Sequence, residues 1–263
     1  MNRPDDNSRL QRILDAIRGE YDPDYEFLSP GPLPWSPPLE DLSDLRVALV
    51  TTGGLHPRRD APFLIDTEKF GDTSFRLVPH GTPPRGLDLR ASSVDQRYAA
   101  RDPEVALPMR ALERLHREGR VGRPAPRHAS FCGGIVRPLP GLAESAGRLA
   151  PLLREDGAGA AVLLPTCSLC VQSVSLLALE LEAAGFRTVT VTMLPELTRL
   201  VGAPRSLSVR FPFGAPCGDP LNRDLHRGVL LEALELLAGC KEPGEIHASR
   251  FAWRRAAPQP LSD

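Results

Sequence analysis

The sequence predicts an α/β fold: a Rossmann-like parallel sheet with helices on both faces, built as one unit or as two similar halves. Three observations predict it. Near-continuous apolar runs at residues 46–51 and 160–165 have the character of strands buried on both faces. Helical patterns with apolar positions at i, i+3, i+4 and i+7 lie between and beyond them. Strand and helix alternate through the second half, which calls for parallel pairing through crossover helices.

Taken in order, residues 8–19 read as an amphipathic helix, with Ser8 as cap and Leu10, Ile13, Leu14 and Ile17 on one side. The proline-rich stretch 29–38 reads as a rigid connector anchored by Trp35, or else as a polyproline ligand. After the strand at 46–51 come Gly53-Gly54 and His56, a weaker strand at 75–78, a helix at 107–118 and a short strand at 128–132. The second half gives a helix at 142–155 bent at Pro151, the strand at 160–165, and a helix at 171–184 whose stripe is Val174, Leu177, Ala178 and Leu181, stopped by Gly185. A strand at 188–192, a short helix at 196–201, a strand at 207–211 and a long helix at 221–238 follow. This divides the chain into an N-terminal helix and connector (1–44), an α/β catalytic domain (45–240, with halves 45–140 and 141–240) and a loosely held tail (241–263) with Pro243, Pro258 and Pro260.

Composition narrows the function classes. The chain has 263 residues, 41% hydrophobic and 25% charged, with a net charge of −1. That balance suits a globular protein and leaves no electrostatic footprint for nucleic acid or an anionic membrane. Aromatic residues, at 5%, are too sparse for a base-stacking surface. No apolar run approaches the roughly 18 residues that a membrane span needs. The polar start Met1-Asn2-Arg3-Pro4-Asp5-Asp6 has no signal-peptide core, so a cytoplasmic location is expected. The 28 prolines and 22 glycines predict many turns and short elements.

The chemistry concentrates where the strand at 160–165 gives way to a helix, at Thr166-Cys167-Ser168-Leu169-Cys170. A thiol in the first turn of a helix faces unpaired N–H groups and the positive end of the helix dipole, which favours thiolate. A second thiol three positions on shares its face and can close a disulfide. In a reducing cytosol such a pair reads as catalytic or metal-binding; the plain alternative is two small hydrophobes in a core. Zinc would need four ligands, and only Cys132 and His128 are at hand to complete them. Cys217 and Cys240 read as bystanders. Gly53-Gly54 lacks the third glycine of a dinucleotide fingerprint, and there is no GxxxxGK-type phosphate loop, so no tightly bound cofactor is expected. Gly53 and Gly54 form either a tight turn or a close approach to a ligand. His56 and His128 are candidate proton carriers or structural residues. Asp72, Thr73 and Ser74 form either a cap or a polar clamp on substrate, and Asp95 is similar. Cys132 and Thr166 sit with them on the expected rim of strand ends, where sites of open α/β sheets lie.

Four stretches then read together: Val47-Ala48-Leu49-Val50-Thr51-Thr52-Gly53-Gly54-Leu55-His56-Pro57, Gly71-Asp72-Thr73-Ser74-Phe75-Arg76, Ala161-Val162-Leu163-Leu164-Pro165-Thr166-Cys167-Ser168-Leu169-Cys170 and Phe211-Pro212-Phe213-Gly214. In combination they resemble the selenoprotein B family of the glycine, sarcosine, betaine and D-proline reductases. The resemblance covers roughly residues 45–220. It implies reductive cleavage of a carbon–heteroatom bond in a small organic substrate. The selenium-bearing residue of the family opens a UxxC-type pair; Cys167 stands at that position and Cys170 at the second. The resemblance thus implies attack by Cys167, a disulfide with Cys170 after turnover, and thioredoxin or a low-molecular-weight thiol as reductant. It also implies a partner subunit, pyruvoyl-bearing in the family's large complexes. Sulfur replaces selenium here, which makes a weaker nucleophile, and Ala91-Ser92-Ser93-Val94-Asp95 differs where relatives are expected to hold a histidine. A standalone reductase of another small molecule is therefore expected as readily as an amino-acid reductase. The reading from a different class is a non-catalytic redox-sensing or metal-binding module on the same scaffold. The oligomeric state is left open, with a homo-oligomer among the options.

Overall fold

The computed structural model describes residues 4–29, 31–38, 41–65, 70–92 and 95–253. Met1-Asn2-Arg3, Pro30, Ser93, Val94, Pro258 and Pro260 lie outside the described residues. In chain order the elements begin with α1 (Pro4–Glu20), β1 (Val47–Thr51), β2 (Leu55–Pro57), β3 (Phe75–Pro79) and β4 (Leu87–Leu89). Next come α2 (Arg97–Arg101), α3 (Met109–Arg117), β5 (Arg127–Phe131), α4 (Gly141–Glu155), β6 (Ala160–Leu164) and α5 (Ser168–Ala183). The chain ends with β7 (Arg187–Thr192), α6 (Pro195–Val201), β8 (Arg205–Arg210), α7 (Arg223–Gly239) and β9 (Glu245–Ala252).

Seven strands form one sheet in the order β3-β5-β1-β6-β7-β8-β9, parallel except for β3 at one edge. β1 and β6 are apolar throughout because both faces are covered. Val47, Leu49, Ala160, Val162 and Leu164 enter one apolar layer with α3 and α7. Ala48, Val50, Ala161 and Leu163 enter the other with α4 and α5. The parallel register, Val47 opposite Ala160 through Thr51 opposite Leu164, keeps each layer continuous. The strands of 45–140 and 141–240 form the two wings of one sheet, and the first layer runs across their junction. β2 and β4 make a separate antiparallel pair that the sequence pattern does not announce.

α5 departs from the amphipathic expectation. Its stripe Val174, Leu177, Ala178 and Leu181 packs on the sheet, but Val171 and Leu176 are buried as well, against α6 and the N-terminal segment. It ends as expected at Gly185, whose φ is +90°; Gly185 and Phe186 return their amides to Glu182 and Leu181 at 2.9 and 3.0 Å. α1 starts at Pro4, one turn before the expected cap Ser8, and α4 runs on through Pro151 to Glu155.

The tail expectation is corrected. Glu245–Ala252 forms β9, paired in parallel with β8. The pairing shifts register between Ser208 and Arg210, and among the described residues one side of the strand has no neighbour in the sheet, so no clean alternation marks it. The connector is anchored as the sequence suggests. Trp35 packs on the core, with the Arg205 guanidinium 4.1 Å over its ring. Arg205 is fully buried beside Glu182 at 3.3 Å, and both hold the Ser36 backbone, at 2.7 and 2.6 Å.

Candidate thiol site

The site lies where strand order reverses. The chain leaves β1 toward β5 and returns on the far side of β1 at β6, so the loops after β1 and β6 part company at the carboxyl ends of neighbouring strands. Two threonines tie these loops together. The Thr166 amide donates to Thr52 Oγ1 at 3.2 Å, and the Thr166 hydroxyl donates to the Thr52 carbonyl at 3.0 Å. Gly54 is glycine because the backbone of another segment occupies its side-chain space: an added Cβ would lie 2.2 Å from the Arg90 carbonyl oxygen, and its φ is +69°. Its amide binds the Phe131 carbonyl at 2.9 Å and its carbonyl receives Arg90 at 2.9 Å. An added Cβ at Gly53 would lie 3.2 Å from Ala106 Cβ. The close neighbours of this pair in the structure are other segments of the chain.

Cys167 is the N-cap of α5, with extended backbone (φ −143°, ψ 179°), and its Sγ accepts the Cys170 amide at 3.2 Å. Cys170 Sγ lies 3.5 Å from Thr166 Oγ1. Both are free thiols. The expectation of a lowered Cys167 is corrected. Burial, and the sharing of its proton with Cys170, push the Cys167 thiol well up. Burial raises Cys170 too, but the Cys167 thiol, the Thr166 and Thr52 hydroxyls and the Gly134 amide outweigh it and bring Cys170 down to about 6. These surroundings favour the thiolate on Cys170 over that on Cys167.

The thiols lie beneath a cover, Cys167 5% and Cys170 1% exposed. Ile17, Tyr25, Val136 and Leu169 pack in their cluster, with Ile13, Leu14, Tyr21, Phe27 and Phe70 around them. This N-terminal cover is fastened by Arg137 to Asp22 at 2.7 and 3.0 Å and by Arg9 to Glu196 at 3.3 Å. Inside it, the Leu28 amide donates to Gln172 Oε1 at 2.8 Å. That fixes the amide orientation, so Gln172 Nε2 donates to the Tyr25 hydroxyl oxygen at 3.1 Å. The phenolic proton is left to point elsewhere. Burial keeps it on the oxygen, against the opposing pull of the Gln172 hydrogen bond.

The other predicted residues divide. Cys132 joins the neighbourhood. It is buried with Phe63 and Ala91, feels the charge of Cys170, and is pushed up by burial to about 11. Asp72 is buried within electrostatic reach of Cys132, but its carboxylate is spent on the Leu64 amide (2.9 Å) and on the Ser74 amide (2.8 Å) and hydroxyl. Burial raises its carboxyl, and these bonds with the Arg76 charge more than reverse that, leaving it below the usual range. Ser74 in turn receives Arg76 at 2.9 Å, and Thr73 packs against Gly141. His56 is buried in β2, with its ring against Phe63 and Nδ1 donating to the Pro57 carbonyl at 3.0 Å. His128 is not brought to the thiols. It sits four residues before Cys132, about 13 Å back along β5. It accepts the Leu49 amide at 3.0 Å, and burial lowers it to about 3. Among the described residues, no three or more His, Cys, Asp or Glu are grouped to hold a metal ion. No described helix is long and apolar enough to cross a membrane.

Residues 9–166, more than half of the chain, match the glycine/sarcosine/betaine reductase selenoprotein B family. The chain belongs to this family. The family match stops one residue before Cys167. The D-proline reductase subunit gamma of Acetoanaerobium sticklandii is 27% identical over 233 residues, covering 89% of this chain and 94% of that one. The sarcosine reductase complex component B subunit beta of Peptoclostridium acidaminophilum is 25% identical over 237 residues, covering 87% of this chain and 53% of that one. The glycine reductase complex component B subunit gamma of Symbiobacterium thermophilum is 26% identical over 241 residues, covering 87% and 54%. The chain thus spans nearly all of the first relative and about half of the other two. No solved structure matches.

Sequence reasoning missed Thr52, Tyr25 and Gln172. Thr52 adjoins the Gly53-Gly54 pair, and that neighbourhood was its signal. Tyr25 and Gln172 meet across 147 positions, a separation no local pattern reports.

Proposed function

We propose that this chain is the thiol-bearing subunit of a selenoprotein B-type reductase that works with sulfur in place of selenium. The observation that carries the reading is the Cys167–Cys170 pair at the amino end of α5, where strand order reverses, in a chain of this family. Cys167 is the nucleophile and Cys170 its base and resolving thiol. The Cys170 thiolate takes the Cys167 proton, and Cys167 sulfur attacks the carbon bearing the heteroatom, which leaves with its electron pair and a proton. Cys170 sulfur then attacks Cys167 sulfur. The carbon–sulfur bond breaks, the carbon takes up a proton, and a disulfide remains. In sum, R–X and two thiols give R–H, HX and one disulfide. Thioredoxin or a low-molecular-weight thiol returns the disulfide to the dithiol.

The substrate is a small organic molecule with a heteroatom at an activated carbon. The relatives' names, which refer to reductase complexes, support a partner subunit that presents this substrate. A dithiol that must be returned from its disulfide suits a reducing, cytoplasmic setting. The cover over the thiols implies that substrate or partner displaces residues 13–28 before attack. Turnover of amine and betaine substrates, with the relatives' partner subunits supplied, tests the reading. Cys167→Ser should abolish product, and Cys170→Ser should accumulate a substrate adduct on Cys167 visible by mass. Full activity in Cys167→Ser would overturn it.

A further inference from the structure

A cleft of about 650 Å³ lies away from the thiols, between the loop at 80–83, the outer face of α3 and the start of α7. Its volume is that of a small-molecule site. α3 turns Arg110, Arg114 and Arg117 (spaced i, i+4, i+7) to this cleft, and Arg223 opens α7 on the other side. Arg114 is engaged by Asp224 at 2.7 Å and Glu118 at 3.0 Å, and Arg117 by Glu113 at 2.8 Å. Arg110 and Arg223 have no ion pair among the described residues.

The cleft carboxylates Glu104 and Asp102 are held by backbone amides, although Glu104 feels the Arg110 charge. Glu104 spends both oxygens on the Arg110 amide, at 3.1 and 2.9 Å, and caps α3. Asp102 receives the Glu104 amide at 3.2 Å and the Leu221 amide at 2.7 Å. Both are buried and face the backbone. Burial pushes Glu104 up to about 7, so its negative charge is only partly present at neutrality. Arg110 and Arg223 are therefore the guanidinium forks of the cleft that no described carboxylate holds in an ion pair, and such a fork is the group best shaped for a planar oxyanion.

Leu221 sits at the mouth. It has a left-handed backbone (φ +68°) and is 62% exposed. A leucine in that conformation is strained, and an apolar side chain in water gains nothing. Asp102 holds it there. Strain and exposure coincide at the rim of the cleft that carries the two free arginines.

We propose that this cleft binds a small oxyanion-bearing molecule, a carboxylate or phosphate on a short apolar body, with Arg110 and Arg223 taking the oxyanion and Leu221 covering the apolar part. The test uses the full chain, with inorganic phosphate and butyrate as separate probes against a chloride background. It follows the ring resonances of His80, which lines the cleft. Saturable shifts with either probe are expected, with affinity falling about tenfold or more in Arg110→Gln/Arg223→Gln and unchanged in Arg58→Gln, a surface control outside the cleft. Saturation by phosphate alone marks the phosphate source, and saturation by butyrate alone marks the carboxylate source. Shifts that stay linear with both probes, or saturation that survives in the double variant, would overturn the site.

Discussion

His128 Nε2 lies 2.9 Å from His80 Nδ1, and the bond between them has a fixed direction. The Leu49 amide can only donate, so His128 Nδ1 accepts it at 3.0 Å and the ring carries its proton on Nε2. That proton goes to His80 Nδ1. His80 in turn donates from Nε2 to Glu113 at 3.3 Å. Adding a proton to either ring breaks this line.

The line predicts acid sensitivity. Burial lowers His128 to about 3, and it lowers His80 as well. On unfolding, His128 regains the ordinary value near 6.5, so the unfolded chain binds a proton that the folded one refuses. The stabilisation is complete above pH 6.5 and is lost as pH falls from there toward 3. Between pH 6.5 and 5, unfolding free energy should fall by up to about 1.4 kcal/mol per pH unit for each such ring. His128→Asn keeps an acceptor for Leu49 and removes the titrating ring. It should cost about 1–2 kcal/mol at pH 7 and flatten that slope. Urea titrations across this range measure it, and an unchanged slope would show that His128 is not the group behind it.

The buried pair Arg205–Glu182 predicts a large loss of stability. Glu182→Ala leaves a guanidinium buried at full depth and also releases the Ser36 amide. A cost of about 3–5 kcal/mol is expected, read as a drop in Tm. Glu182→Gln should recover part of it, because it keeps an acceptor for the Ser36 amide.

The cover over the thiols predicts gated access. Arg137 is half exposed, so solvent screens its tie to Asp22 and the tie is weak. Arg137→Gln should therefore speed alkylation of Cys167 and Cys170 about fivefold, with the reactivity of Cys217, buried elsewhere in the core, unchanged. Equal rates in the two proteins would mean that this tie does not limit opening.

Thr52 predicts a change in acidity without a change in fold. Thr52→Val removes a hydroxyl that favours the Cys170 thiolate and receives the Thr166 amide. Thiol alkylation against pH should move its midpoint up by about one unit, with a stability loss of about 1 kcal/mol. A midpoint that stays in place would show that the hydroxyl does not bear on the charge.

What the sequence made legible follows from where the physics is local. β1 and β6 are covered on both faces, so their apolar runs were plain, and the thiol pair at the start of α5 could be placed from the strand–helix junction alone. β9 is a polar edge strand whose pairing partner lies 40 residues upstream (Arg205 opposite Glu245), and its composition resembles a tail. His128 looked like a strand-end histidine because the strand was visible and its direction was not. In parallel with β1, it falls opposite the middle of that strand and replaces a ladder bond. The balance between the two sulfurs was also out of reach, since it depends on Thr52 and Gly134, which arrive from two other loops.

The most direct test of the central claim is the redox state of the 167–170 pair, measured by intact mass and peptide mapping after equilibration in dithiol/disulfide buffers. The account predicts one reversible loss of two hydrogens, mapped to a Cys167–Cys170 disulfide, while Cys132, Cys217 and Cys240 stay reduced. A pair that remains dithiol in buffers oxidising enough to modify those other cysteines would contradict it.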